Sequence, residues 1–145
     1  MLVNEVDVEY QGQDGETVYY KVWLFDFEEP AENEFLAVNQ FTIIEDGNNR
    51  RPDIILFING LPLLVIELKR PDKDTGFEDD EIIWDAYKQF QTYKKDIPRL
   101  FRYNAFLLIS DVQGAMAGTL TSNREWFVPW KTVDPTFGSK HIFTN

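Results

Sequence analysis

Asp53 and, fourteen residues later, the tripeptide Glu67-Leu68-Lys69 are the groups in this chain best placed to do chemistry. They stand within or beside its most apolar stretches, Asp53–Ile58 and Leu63–Lys69. A charge in such surroundings is costly unless it is paired, hydrated or bound to a metal. Glu67 and Lys69 are two residues apart, so on a strand they point to the same face. Asp53 belongs to the preceding strand and can approach both. Two converging carboxylates suit Mg²⁺, which takes few protein ligands and keeps several waters. Such an ion polarises a phosphodiester and generates a hydroxide nucleophile. A neighbouring lysine can position or deprotonate that water and offset charge building on the phosphate. The alternative is a half-buried Glu67–Lys69 ion pair. A motif of three charges is too short for spacing alone to choose between the two readings.

The elements that must carry these groups can be read around them. Asn59-Gly60 between the two apolar runs is a strong hairpin signal. Both runs are apolar at successive positions, so both faces should be buried and the strands central. Parity adds a constraint: for Asp53 to share a face with Glu67, paired residue numbers must sum to an even number. A plain two-residue turn pairs Ile58 with Leu61, an odd sum that sends Asp53 to the opposite face. A three-residue loop or a bulge near Gly60 is therefore expected. Pro71–Phe77 reads as a loop. A helix follows from Asp79 or Asp80 to about Lys95, with Ile82, Ile83, Ala86, Tyr87, Phe90 and Tyr93 as its apolar stripe. Lys94 and Lys95 suit its C-terminal dipole, and Pro98 stops it. Ala105–Ser110 is a further buried strand, reached by a crossover and so parallel to a neighbour. Gly114–Leu120 is an edge candidate, and no regular element is expected around Trp126, Pro129 and Trp130. Upstream, Val3–Gln11 and Thr17–Asp26 pair about Gln13-Asp14-Gly15. Val6, Val8 and Tyr10 there alternate with Asp7 and Glu9. Phe35–Glu45 is another strand, ending at the turn Asp46-Gly47-Asn48-Asn49.

With 145 residues, of which 43% are hydrophobic, the chain suffices for one domain and one core, spanning 1–145. The absence of cysteine excludes disulfides and thiolate metal sites. No apolar run reaches the roughly 20 residues of a membrane span, and no leader pattern opens the chain, so a cytoplasmic setting is expected. The net charge of −11 is regional. Residues 1–47 hold twelve acids and one base, whereas the remainder holds thirteen of each. Within Ala86–Tyr103 five bases face Asp96 alone: Lys88, Lys94, Lys95, Arg99 and Arg102. These bases form either a solvated helix surface or a phosphate-facing patch. No G-x-x-x-x-G-K-[ST] occurs, so the chain carries no phosphate-loop motor. His141, the only histidine, lies in a polar tail and takes no role.

Pro52-Asp53 followed by Glu67-Leu68-Lys69 on a hairpin resembles the PD-(D/E)-x-K nuclease signature. The fuller string from Arg51 to Lys69, with Val38-Asn39-Gln40-Phe41 upstream and Ile97–Asn104 downstream, resembles the N-terminal domain of type I restriction R subunits. The resemblance runs over roughly residues 17–130. It implies an α/β fold with a mixed α+β sheet. The expected restriction-endonuclease-like core has a central hairpin, a crossover helix and a further strand, preceded here by the N-terminal antiparallel hairpin. It implies metal-dependent cleavage of double-stranded DNA, with Asp53 and Glu67 on Mg²⁺ and Lys69 on water and phosphate. The family's Gln-x-x-x-Tyr motif falls on Gln89 and Tyr93, one helix turn apart on one face. The implied partners are double-stranded DNA, the modification and specificity subunits, and a helicase motor of the same subunit whose ATP is not bound here. Such cores usually open on a helix, and none is legible before Asp79, so the chain reads as a fragment lacking an upstream helix. A repair nuclease of the same fold, or a catalytically silent assembly module, are the competing expectations.

Overall fold

The computed structural model describes residues 6–70, 80–111 and 114–130, with side chains for all of these except 80–82. Strands are β1 (Val6–Gln11), β2 (Thr17–Val22), β3 (Phe35–Asn39), β4 (Ile43–Glu45), β5 (Asn48–Arg50), β6 (Ile54–Ile58) and β7 (Leu61–Leu68). Helix α1 (Asp80–Asp96) follows, then β8 (Phe106–Ser110), β9 (Ala115–Gly118) and β10 (Val128–Pro129). Six strands form one mixed sheet in the order β10-β9-β8-β7-β6-β3. Only the β7–β8 pair in it is parallel, as a helical crossover between them requires.

The α1 stripe packs against one face of this sheet. Ile83, Ala86, Phe90 and Tyr93 meet Ile55, Val65, Leu107 and Ile109, and Phe127 closes the cluster. Burying each large apolar side chain contributes about 1.5–3 kcal/mol, and this helix–sheet layer is the core. Phe127 reaches it only because residue 118 is glycine: a Cβ there would stand 2.8 Å from the Phe127 ring. The opposite face corrects the expectation of a fully buried hairpin. Among the described residues no helix covers it. Leu56, Leu64, Phe106, Phe35 and Trp130 line an open apolar hollow of about 460 Å³.

Other differences are local. Phe35–Glu45 is two strands rather than one, broken at Gln40, whose φ of 53° is left-handed. Thr17–Asp26 ends as a strand at Val22. Gly114–Leu120 shortens to Ala115–Gly118 and is not an edge, since Val128–Pro129 pairs outside it. The region of Trp126 and Trp130 holds a 3₁₀ turn, Arg124–Trp126, and that short strand. The β1–β2 hairpin forms about the expected turn, with Val6, Val8 and Tyr10 opposite Val22, Tyr20 and Val18. None of its residues is buried, because no described element packs closely on it.

The helix end is tied down by ions. Arg50 of β5 donates two hydrogen bonds to Asp96, and Arg99 pairs with Glu45 of β4. The Lys94 ammonium donates to the Leu120 carbonyl, and its pKa is lowered by burial. Lys88 pairs with Asp85 and lies over the Trp84 ring. Of the five bases between Ala86 and Tyr103 only Lys94 is withdrawn from the surface. Lys88, Lys95, Arg99 and Arg102 are exposed, as the solvated-surface reading expects, although Lys88 and Arg99 each face a carboxylate.

Candidate active site

Parity is settled by one residue of β7. Asn59-Gly60 makes a tight two-residue turn, with φ of 49° and 78°, that pairs Ile58 with Leu61 and Phe57 with Pro62. The register then shifts: Leu56 pairs with Leu64, Ile55 with Val65 and Ile54 with Ile66. Leu63 is the extra residue of a β-bulge, and beyond it the pair sums are even. The expected bulge is present, three residues past Gly60. Asp53 and Glu67 therefore stand opposite each other on the face that α1 covers. Without Leu63 as an extra residue the two carboxylates would lie on opposite sides of the sheet.

Asp53 sits just before β6 and is held at both oxygens. Its Oδ2 accepts the Leu68 backbone N–H at 2.9 Å, and its Oδ1 accepts the Gln40 side-chain amide at 2.8 Å. Glu67 is 1% exposed, and neither of its carboxylate oxygens has a hydrogen-bond partner. Burial, and then the negative charge of Asp53, push its pKa up to about 7. The nearby Tyr93 hydroxyl and Lys69 ammonium press the other way, but less strongly.

Lys69 does not pair with Glu67, which removes the ion-pair alternative. Its Nζ donates to Gln89 Oε1 at 3.1 Å. Gln89 Nε2 in turn donates to the Tyr93 hydroxyl oxygen at 2.6 Å. A side chain with both an acceptor and a donor is needed at 89, and glutamine supplies both. Its spacing of four from Tyr93 puts the two on one helix face toward β7. Tyr93 is buried, and burial raises its pKa, so its hydroxyl stays protonated. All five residues singled out in the sequence are thus gathered at one place between β6, β7 and α1. Gln40 is the contributor that sequence reasoning assigned no role, because the left-handed bend that turns it to Asp53 leaves no compositional trace.

A buried carboxylate without a well-formed hydrogen bond, beside a second carboxylate, is electrostatically incomplete. A divalent cation bound by oxygen ligands would complete it. Among the described residues no cluster of three or more acids, histidines or cysteines occurs, so the donor set is the Asp53–Glu67 pair. That small set fits Mg²⁺, which retains waters, better than a cation that needs a full protein cage.

A mixed sheet flanked by a crossover helix, with acidic residues and a lysine on its central hairpin, defines a restriction-endonuclease-like fold. The sequence comparisons agree. The profile described as "Type I restriction enzyme R protein N terminus" matches residues 1–126, and the chain belongs to that family. It is 43% identical over 144 residues to the type I restriction enzyme HindI endonuclease subunit of Haemophilus influenzae, covering 99% of this chain and 13% of that protein. It is 37% identical over 137 residues to a protein of Methanocaldococcus jannaschii named as a candidate type I restriction enzyme endonuclease subunit, MjaIXP, covering 92% of this chain and 12% of that one. The chain thus spans about an eighth of the length of these relatives.

Proposed function

We propose that this chain is the DNA-cutting domain of a type I restriction enzyme R subunit, hydrolysing phosphodiesters of double-stranded DNA with Mg²⁺. The observation that carries the reading is the orphaned Glu67 carboxylate opposite Asp53. Asp53 and Glu67 would hold the ion. When bound, it would supply the positive charge that polarises the phosphate and acidifies water. Lys69, with its ammonium anchored by Gln89, would place a donor on the phosphate oxygen and steady the attacking water. Gln89 fixes where that ammonium stands. Tyr93 accepts from Gln89, so its own proton is free to turn toward Glu67 and favour the charged form that binds a cation.

The domain brings little net positive charge of its own, because Arg50, Lys88 and Arg99 each face a carboxylate and Lys94 is taken by the Leu120 carbonyl. Its own DNA binding should be weak, salt-sensitive and non-specific, near or beyond the loose end of 10⁻⁴–10⁻⁶ M. Delivery of DNA then falls to a motor and to specificity and modification subunits, in a cytoplasmic complex. The unpacked β1–β2 hairpin, apolar on one face and acidic on the other, favours an assembly role alongside cutting.

The test is substitution in the assembled enzyme. Asp53→Ala, Glu67→Ala and Lys69→Ala should each lower cleavage by at least roughly 10²–10³-fold while ATP hydrolysis and translocation continue. Cleavage by Asp53→Ala at the unmutated rate would refute the assignment.

A further inference from the structure

We propose that Gln40 is a positioning residue for Asp53, setting the rotation of its carboxylate and thereby the affinity of the paired site for a divalent cation. The inference rests on the reading of Asp53 and Glu67 as metal ligands and adds a residue that nothing above assigns to it.

Gln40 follows the last residue of β3, where Asn39 pairs with Ile54 of β6. Its backbone N–H extends the ladder by one rung, donating to the Asp53 carbonyl at 2.8 Å. There the chain turns into the left-handed region, at φ 53°. Glycine or asparagine is the usual occupant of that conformation, and a longer side chain in it is strained. The strain has a visible counterpart: it aims the Gln40 amide at Asp53 Oδ1, 2.8 Å away. Because Gln40 is exposed, the contact adds nothing to the core.

With Oδ1 held by Gln40 and Oδ2 by the Leu68 N–H, the carboxylate plane cannot swing about its last torsion. Each oxygen keeps a second lone pair for a cation. Ligands fixed before the ion arrives bind it more tightly than ligands that must be ordered on binding. Asp53 also stands before β6 rather than within it, so the ladder alone does not immobilise it.

The experiment measures Mn²⁺ binding to this chain by the loss of the free-ion paramagnetic resonance signal, alongside thermal unfolding without metal. The variants are Gln40→Gly, Gln40→Asn and Asp53→Asn. Glycine and asparagine both accept the left-handed backbone, and neither reaches Asp53. We expect Gln40→Gly and Gln40→Asn to bind Mn²⁺ threefold to tenfold more weakly with unfolding midpoints no lower than that of the unmutated chain. Asp53→Asn should lose binding at this site. Unmutated affinity in both Gln40 variants would overturn the positioning role and leave the metal reading standing. Weaker binding accompanied by lower midpoints would overturn it too, since Gln40 would then be holding the fold. Unmutated affinity in Asp53→Asn would overturn the metal reading and the inference with it.

Discussion

Among the described residues two glutamates are buried, and they are treated in opposite ways. Glu45, 7% exposed, accepts the Arg99 backbone N–H at Oε2 and faces the Arg99 guanidinium at Oε1. Glu67, 1% exposed, makes no hydrogen bond of normal geometry among the described residues, has the Tyr93 hydroxyl and the Lys69 ammonium nearby, and has a second carboxylate opposite it. The first is a structural anchor, tying the β4–β5 hairpin to the turn after α1. The second has a neighbouring carboxylate and no counter-charge within salt-bridge distance among the described residues. Depth of burial alone does not separate structure from function; the difference lies in whether the protein supplies the counter-charge.

The comparison can be broken by exchanging the fates of the two residues. The largest change in stability should come from pH at Glu67. Its pKa in the folded chain is about 7, above its ordinary 4.5, so folding favours the neutral form. Stability without metal should therefore be greatest below about pH 4.5 and fall as the pH rises to about 7, by at most about 3 kcal/mol. The measurement is denaturant unfolding of the unmutated chain and of Glu67→Gln across pH 5–8. The difference between them at pH 5 should be about a quarter of that at pH 8, where the variant should be the more stable by the full amount. A smaller effect of opposite sign belongs to Glu45. Glu45→Ala should destabilise the chain by about 1–3 kcal/mol at pH 8, mainly by leaving the Arg99 backbone N–H without its acceptor. The exposed guanidinium adds little. Glu45→Ala as stable as the unmutated chain would erase the distinction.

Much of this was legible in the sequence. Continuous apolar runs about Asn59-Gly60 marked the central hairpin, and the 3.6-residue stripe from Ile82 to Tyr93 marked the helix. The demand that Asp53 and Glu67 share a face called for a bulge, since pairing parity is strict. Which residue bulges was not legible, because Leu63 looks like any other apolar residue of β7. The uncovered sheet face also escaped. Leu56, Leu64 and Phe106 are as apolar as Ile55, Val65 and Leu107, and composition cannot say which side a helix will cover. The exposure of most of the basic stretch was legible, but the partners of Arg99 and of Lys94 were not, because they are distant in sequence, at Glu45 and Leu120. The turn at Gln40 was hidden because glutamine carries no signal for a left-handed backbone.

The claim that Glu67 and Asp53 await a cation is tested most directly by unfolding this chain at pH 8 in rising Mg²⁺ at constant ionic strength. A ligand that binds only the folded state raises stability in proportion to the logarithm of its concentration above Kd. The unmutated chain and Glu45→Ala should both gain stability with Mg²⁺, while Glu67→Gln and Asp53→Asn should not. An equal gain in Glu67→Gln, or no gain in the unmutated chain, would contradict the account.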